Sequence, residues 1–234
     1  MEILVSFENV FWKINKKNVL ENINFVLYEG QHITILGVNG SGKTSLCKMI
    51  IGAINPTMGK LYKNKKLKIA YVPQIFNQNI NIPIEVKDFL KLNINEKINM
   101  EKYNRITKMF EIENLLHNNI NTLSGGQKQK VVLVRALIQD FNLLILDEAT
   151  NFFDFETQNV FYKNIYELQK NYKFSVIMVS HDLNLVLKES NYVMCLSDGK
   201  ICCKGSVYNI KNDKDFKKLF DNFTYYKHHD LQGS

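Results

Sequence analysis

Hydrophobic and polar positions alternate in two different rhythms along this chain. Near the start, three stretches alternate apolar and polar residues as half-buried antiparallel strands do: Phe7–Phe11, Val19–Leu20 and Ile23–Leu27. Four later apolar runs predict buried strands, His32–Leu36, Ile69–Val72, Leu143–Leu146 and Ser175–Val179. A hairpin is predicted near the end, with strands Tyr192–Leu196 and Ile201–Lys204 around an Asp-Gly turn. These patterns predict an α/β fold.

Between the second and third buried strands the spacing becomes helical. Apolar residues with polar faces between them include Val86, Phe89, Leu90, Ile106, Phe110 and Leu115. We therefore expect an inserted helical subdomain at residues 84–140, inside a single domain that spans residues 1–234. A chain of 234 residues with 45% hydrophobic content is long enough to bury one such core.

The segment Gly37–Thr44 fits the pattern G-x-x-x-x-G-K-[ST] in full, between a predicted strand and a predicted helix. Glycines let the backbone fold closely around a polyphosphate, so that N–H groups of the turn and of the helix start face its oxygens. Lys43 is expected to reach the outer phosphates, and the Thr44 hydroxyl to bind Mg²⁺. The candidate ATP-binding residues here are Gly37, Asn39, Gly40, Ser41, Gly42, Lys43, Thr44 and Ser45.

Two strands are expected to deliver further chemistry at their carboxyl ends. Leu143–Leu146 leads into Asp147 and Glu148, and Ser175–Val179 leads to His181, where open α/β sheets bind ligands. Ser124 precedes two glycines and an amphipathic helix, and this helix start is a second place for an anion.

Charge and cysteine content narrow the class of protein. The formal net charge is +7, but Arg105 and Arg135 are the only arginines, so we expect no nucleic-acid partner. A lysine excess also suits work beside an anionic membrane face. The four cysteines lack metal-type spacing and are expected to be reduced thiols. The N-terminus does not resemble a signal peptide, and no apolar run approaches the about 20 residues that cross a bilayer.

Together the motifs resemble those of the ATP-binding subunits of ABC transporters, and the resemblance spans essentially the whole chain. Gly37–Thr44 is similar to Walker A, Leu123–Gln127 to the LSGGQ signature, and Leu143–Asp147 to Walker B. Single residues match the other family motifs: Gln74 the glutamine loop, Glu148 the adjoining carboxylate, Asp154 the D-loop and His181 the switch histidine. The expected fold is a P-loop NTPase of ABC type, with a mixed sheet core, an antiparallel β-subdomain and the inserted helices.

The resemblance implies a task for each group. Thr44, Gln74 and Asp147 would hold Mg²⁺, while Glu148 would polarise the attacking water and His181 would steady the γ-phosphate. The family closes as a head-to-tail homodimer, so Ser124, Gly125, Gly126 and Gln127 would cap ATP held by a second copy. Asp154 would also line the nucleotide site. Where the family stacks an aromatic residue on adenine, this chain has Ile14, with Trp12 two residues before it, so either residue is a candidate.

Within the family, the chain resembles the ATPase of bacterial high-affinity zinc uptake. The likeness lies in Leu4–Val10, Lys68–Gln74, Met178–Leu183, Val193–Leu196 and Ile201–Cys203. It implies a peripheral subunit on the cytoplasmic face of the inner membrane, bound to a membrane permease and served indirectly by a metal-binding protein outside. A manganese or iron importer remains open, as does a soluble ABC ATPase of the iron–sulfur assembly type, which would share every motif.

Overall fold

The computed structural model describes residues 1–74, 83–92, 94, 98–180, 191–210, 213, 214 and 216–218. The strands are β1 (Ile3–Ile14), β2 (Lys17–Tyr28), β3 (His32–Leu36), β4 (Met58–Lys63), β5 (Ile69–Val72), β6 (Leu143–Asp147), β7 (Ser175–Ser180), β8 (Tyr192–Ser197) and β9 (Lys200–Ser206). The α-helices are α1 (Lys43–Ile50), α2 (Val86–Lys91), α3 (Met100–Met109), α4 (Gly125–Leu137), α5 (Phe155–Tyr172) and α6 (Val207–Ile210). Two short 3₁₀ helices lie at Glu113–Leu115 and Ile120–Thr122.

The chain divides into two compact units. The first comprises Met1–Leu67 and Ser175–Ser234, and the second comprises Lys68–Phe174. The predicted helical subdomain, residues 84–140, lies inside the second unit, and its bounds stay a prediction.

An antiparallel sheet of order β2-β1-β4 opens the first unit. Strands β1 and β2 are joined by a tight turn in which Asn15 and Lys16 both have positive φ, and Phe7 stacks on Phe25 across the pair with ring centroids 4.6 Å apart. The predicted antiparallel strands are therefore confirmed, although Val19–Leu20 and Ile23–Leu27 belong to one continuous strand. Their alternation is interrupted because the pairing of β1 with β2 shifts register several times.

Strand β4 is absent from the expectations above. Its residues are mostly exposed, and they carry too weak an apolar alternation to predict a strand. The strand forms because its backbone pairs with β1, with Phe7 opposite Leu61. Long-range pairing of this kind leaves little trace in the local sequence.

The first unit also contains strands of a mixed sheet. Strand β3 lies between β7 and β8 and is parallel to both, while β9 pairs with β8 in the antiparallel direction. All five residues of β3 are buried, as predicted for a strand that leads into the loop, and they include the polar His32 and Thr34. The α/β class is thus confirmed, and the carboxyl end of β3 leads directly into Gly37.

The second unit combines a parallel pair of strands with helices. Strand β5 runs parallel to β6, and α4 packs against α2, α3 and β5. Side chains from the apolar faces of the helices are buried, among them Phe89, Ile106, Val131 and Leu133. The six apolar residues named above for the helical segment are thus core residues. Within the described parts of the chain, no helix is both long and apolar enough to cross a membrane.

Candidate functional site

The loop from Gly37 to Gly42 is shaped by close backbone packing. A Cβ atom on Gly37 would lie 2.3 Å from the carbonyl oxygen of Leu196 in β8, so only glycine fits there. Gly42 has φ +105° and stands directly before α1, whose first turn contains no acidic side chain. The helix therefore begins without a capping side chain, and its N-terminal partial positive charge favours an anion.

Lys43 crosses this loop. Its side chain is buried, and Nζ donates hydrogen bonds to the carbonyl oxygens of Gly37 at 2.8 Å and Val38 at 3.0 Å. The ammonium is thus held on the loop instead of extending into solvent. Ser41 Oγ is also buried and has no hydrogen-bond partner among the described residues. A buried hydroxyl without a partner is costly unless something else completes its bonding.

The remaining loop residues differ in exposure. Asn39 and Gly40 are exposed, while Thr44 and Ser45 at the start of α1 are half-buried. The two adenine candidates lie on β1, where Trp12 is half-buried and Ile14 is exposed. Their assignment stays a prediction, as do the roles of the loop residues.

In the second unit, two carboxylates lie at the carboxyl end of β6: Asp147 is its last residue, and Glu148 follows directly. Asp147 is fully buried and accepts a hydrogen bond from the Tyr71 hydroxyl at 3.1 Å. Glu148 is also buried, and its φ of +49° turns the chain sharply as the strand ends. The sequence did not predict a role for Tyr71 in the site, because a tyrosine in a buried strand is equally well explained as a core residue.

Two side-chain amides hold Glu148. Gln74 Nε2 donates to Glu148 Oε2 at 2.6 Å, and Asn151 Nδ2 donates to the same oxygen at 2.9 Å. Gln74 and Glu148, which the sequence placed far apart, therefore meet in the second unit. Asn151 was not among the expected site residues, since a polar residue after a carboxylate pair is more often simply solvated.

The signature segment caps its own helix. Ser124 Oγ accepts from the backbone N–H of Gln127 at 3.3 Å, and Gln127 Oε1 accepts from the backbone N–H of Ser124 at 3.0 Å. Ser124, Gly125 and Gln127 are exposed. This reciprocal capping box fixes the first turn of α4 and presents its N-terminus on the surface of the unit.

Helix α4 also contacts the backbone ahead of Gln74. The side chain of Gln129 is buried, and its Nε2 donates to the carbonyl oxygen of Pro73 at 3.3 Å. The signature helix and the glutamine loop are thus linked directly within the second unit.

Asp154 stands at the N-cap of α5. Its Oδ1 accepts from the backbone N–H of Thr157 at 2.8 Å, and this hydrogen bond lowers the pKa of the carboxyl group. The structure therefore gives Asp154 a capping role, and its expected nucleotide contact stays a prediction. His181 lies outside the described residues.

Comparison with known proteins places these motifs in context. The ABC transporter family model matches residues 20–151 of this chain. Among curated proteins, the zinc import ATP-binding protein ZnuC of Wigglesworthia glossinidia brevipalpis is 41% identical over 221 residues, which cover 94% of each chain. ZnuC of Rickettsia bellii is 37% identical over 226 residues, covering 97% of this chain and 96% of its own.

A solved structure shows the same fold. An ATP-binding cassette whose dimer was captured after hydrolysis, with ADP and phosphate bound, superposes with a TM-score of 0.76. It is 26% identical, and the match covers 87% of this chain and 99% of the cassette.

Proposed function

Because this chain belongs to the ABC transporter family, we propose that it is the ATP-hydrolysing subunit of a zinc importer. The observation that carries the catalytic part is the buried Glu148, held by two amides directly after a fully buried Asp147. The zinc assignment is supported by relatives named for zinc import that match almost the whole chain. The subunit would bind a membrane permease at the cytoplasmic face of the inner membrane, and a metal-binding protein outside would deliver the ion.

The loop residues fit a bound triphosphate. Lys43 already has its ammonium on the loop, and the buried Ser41 hydroxyl lacks a partner that a phosphate oxygen would supply. The uncapped start of α1 adds backbone N–H donors. We assign these groups, with Gly37, Asn39, Gly40, Gly42, Thr44 and Ser45, to the phosphates of ATP.

On the family pattern we assign Mg²⁺ to oxygens of Thr44, Asp147 and Gln74, which are the hard donors that this cation prefers. No cluster of three or more histidine, cysteine or acidic side chains in the described part of the chain is arranged to hold a metal. Mg²⁺ does not need such a cluster, since it is usually held by one or two protein oxygens together with phosphates and waters. Gln74 uses its amide nitrogen on Glu148, and its amide oxygen is the atom suited to the cation. Bound Mg²⁺ would neutralise charge on the outer phosphates.

Glu148 is assigned to the attacking water. A carboxylate held by two N–H donors on Oε2 keeps one orientation, and a general base needs a fixed position relative to the proton that it accepts. His181 is assigned to the γ-phosphate on the family pattern alone.

Head-to-tail pairing of two copies completes the proposal. The solved cassette with this fold is a dimer. In this chain the first turn of α4 is exposed and preformed by its capping box, so Ser124 and the N–H groups of Gly125 and Gly126 would face the γ-phosphate of ATP on a second copy. Each active dimer would then contain two ATP sites, both made from two chains.

The catalytic assignment is tested with Glu148→Gln, which keeps the shape of the side chain and removes its basicity. We expect turnover to fall by about a hundredfold or more, within the range that a general base contributes. ATP affinity should persist, and the ATP-bound dimer should accumulate in size-exclusion chromatography. Wild-type hydrolysis rates in this variant would refute the role of Glu148.

The dimer assignment is tested by mixing two inactive variants. Lys43→Ala removes the phosphate contact, and Ser124→Asp places a carboxylate where the second copy's γ-phosphate would lie. Random pairing makes half of the dimers mixed, each with one intact site, so the mixture should recover about a quarter of the wild-type rate. No recovery would contradict a site shared by two chains, because one intact site per mixed dimer is what the model requires.

The cargo is tested in cells that lack this chain. Deletion should abolish uptake of radioactive zinc under zinc limitation, and plasmid-borne wild-type protein, but not Glu148→Gln, should restore it. Loss of manganese or iron uptake with normal zinc uptake would refute the zinc assignment. Copurification of a polytopic permease from membranes supports a transport role, and a purely soluble complex contradicts it.

A further inference from the structure

Glu148 accepts a hydrogen bond from a side chain that is not among the site residues assigned above. Both amide donors on its Oε2 have heavy-atom distances below 3.0 Å, which is typical of hydrogen bonds to a charged acceptor. Gln74 is one donor and is also assigned to Mg²⁺, so it serves two partners. Asn151 is assigned to no ligand, and Glu148 is the side chain to which it donates.

Asn151 is presented by a well-anchored loop. Its backbone N–H donates to the backbone carbonyl oxygen of Glu148 at 3.3 Å, which closes a turn from Glu148 to Asn151. On the far side, Gln158 Nε2 donates to the carbonyl oxygens of Thr150 at 3.2 Å and Phe153 at 3.1 Å. The Thr150 hydroxyl also lies 3.0 Å from the buried Tyr162 hydroxyl. Hydrogen bonds on both sides thus fix the backbone that carries Asn151.

The next residue connects this loop to the signature helix. The ring of Phe152 lies in van der Waals range of the position that a Cβ on Gly125 would occupy, at 3.5 Å, and the Phe152 carbonyl oxygen is 3.4 Å from the corresponding position on Gly126. About half of the Phe152 side chain is nevertheless exposed. The Phe152 ring packs near Gly125 and its backbone carbonyl lies near Gly126, so the loop that carries Asn151 packs against the first turn of α4.

We propose that Asn151 is a positioning residue for hydrolysis, which orients Glu148 through the hydrogen bond to Oε2. This inference rests on the proposed function, because it assumes that Glu148 acts on the attacking water. A single donor on Oε2 leaves the carboxylate plane able to rotate about that hydrogen bond, and Asn151 adds a second donor to the one from Gln74. Two donors on Oε2, one from Gln74 and one from Asn151, restrict this rotation. They thereby fix the direction of the other oxygen, Oε1.

Asn151→Asp tests the proposal, because it keeps the size of the side chain and replaces the N–H donor with a charged acceptor. We expect kcat for ATP hydrolysis to fall tenfold or more, which corresponds to about 1.4 kcal/mol of transition-state stabilisation. The KM for ATP and the binding affinity for ATP should remain within about twofold of wild type, since a positioning residue acts on the chemical step. Asn151→Gln retains an amide donor and should recover most of kcat.

The matched control is Asn104→Asp, the same substitution at an exposed position of α3, which should leave kcat unchanged. Thermal unfolding distinguishes a loss of stability from a misoriented Glu148. Equal melting temperatures of Asn151→Asp and wild type, with a selective loss of kcat, support the proposal. A wild-type kcat for Asn151→Asp overturns it, and so does an equal loss in Asn151→Gln. Different results would contradict the proposed function itself: wild-type protein without ATPase activity, or a Glu148→Gln variant that keeps full activity.

Discussion

Gly37→Ala is the sharpest test of the phosphate loop, because the atom that blocks a side chain there is a backbone carbonyl oxygen. The added Cβ would lie 2.3 Å from the Leu196 carbonyl oxygen and 2.6 Å from Ser41 Oγ. Ser41 can rotate away, but the Leu196 carbonyl belongs to β8, which pairs with β3 up to the Leu36–Cys195 register position. The contact is about 0.7 Å short of the 3.0 Å that real Cβ atoms respect, so either β8 or the loop must move.

The cost follows from overpacking. Forcing an extra methyl group into a tight site typically costs about 1–3 kcal/mol. For a chain of this size, about 2–4 °C of melting temperature is lost per kcal/mol, so we expect a decrease of about 2–12 °C by differential scanning fluorimetry. The loop is the easier part to move, since displacing β8 would disturb its pairing with β3. We therefore also expect the ATP dissociation constant to rise at least about tenfold, which corresponds to about 1.4 kcal/mol.

Gly30→Ala is the matched control. Gly30 has φ +76° and nothing within 4 Å of its Cβ position, and it lies before the opposite end of β3 from the phosphate loop. The variant should lose about 1–2 kcal/mol through left-handed backbone strain and keep normal ATP affinity. If Gly37→Ala binds ATP as wild type does, or if Gly30→Ala weakens ATP equally, the steric account of the loop is wrong.

Two further predictions concern the signature helix and the thiols. Ser124→Ala should cost about 1 kcal/mol through the lost N-cap, whereas Ser124→Asp should keep the melting temperature, because aspartate also caps, and still abolish hydrolysis. Equal destabilisation in both would contradict the capping role. The hydrogen bond to Cys195 and burial raise the pKa of Cys203 to about 12 from an ordinary value near 9.0. Since the unfolded chain then releases this proton first, the free energy of unfolding should fall as pH rises from about 9 to 12, and less steeply in Cys203→Val by denaturant titration.

The sequence was most informative where one local pattern determines the outcome. The buried run of β3 and the glycine spacing after it predicted both the strand and the loop, because a central parallel strand and a phosphate-binding turn each have a local signature. The Asp-Gly hairpin between β8 and β9 was predicted for the same reason, and both turn residues have positive φ.

Contacts between distant segments were not predictable in this way. Strand β4 exists through pairing with β1, and its own residues are mostly exposed. The two amides on Glu148 come from a strand end and from a turn 77 residues further along the chain, and only folding brings them to one oxygen. Asn151 and Tyr71 have ordinary structural explanations in sequence, so their part in the site is visible only in three dimensions.

The capping box on α4 bears on how two copies would close around ATP. Gln127 has both its side-chain oxygen and its backbone N–H engaged with Ser124, so the first turn of α4 is ordered without any ligand. Binding that must first order a loop loses part of its interaction energy to entropy, and a preformed helix start avoids that loss. The same helix contacts the residues next to both amide donors of Glu148. Gln129 donates to the carbonyl oxygen of Pro73, and Phe152 packs against the signature glycines. We therefore expect these contacts to couple a second copy's ATP, bound at the start of this helix, to Glu148.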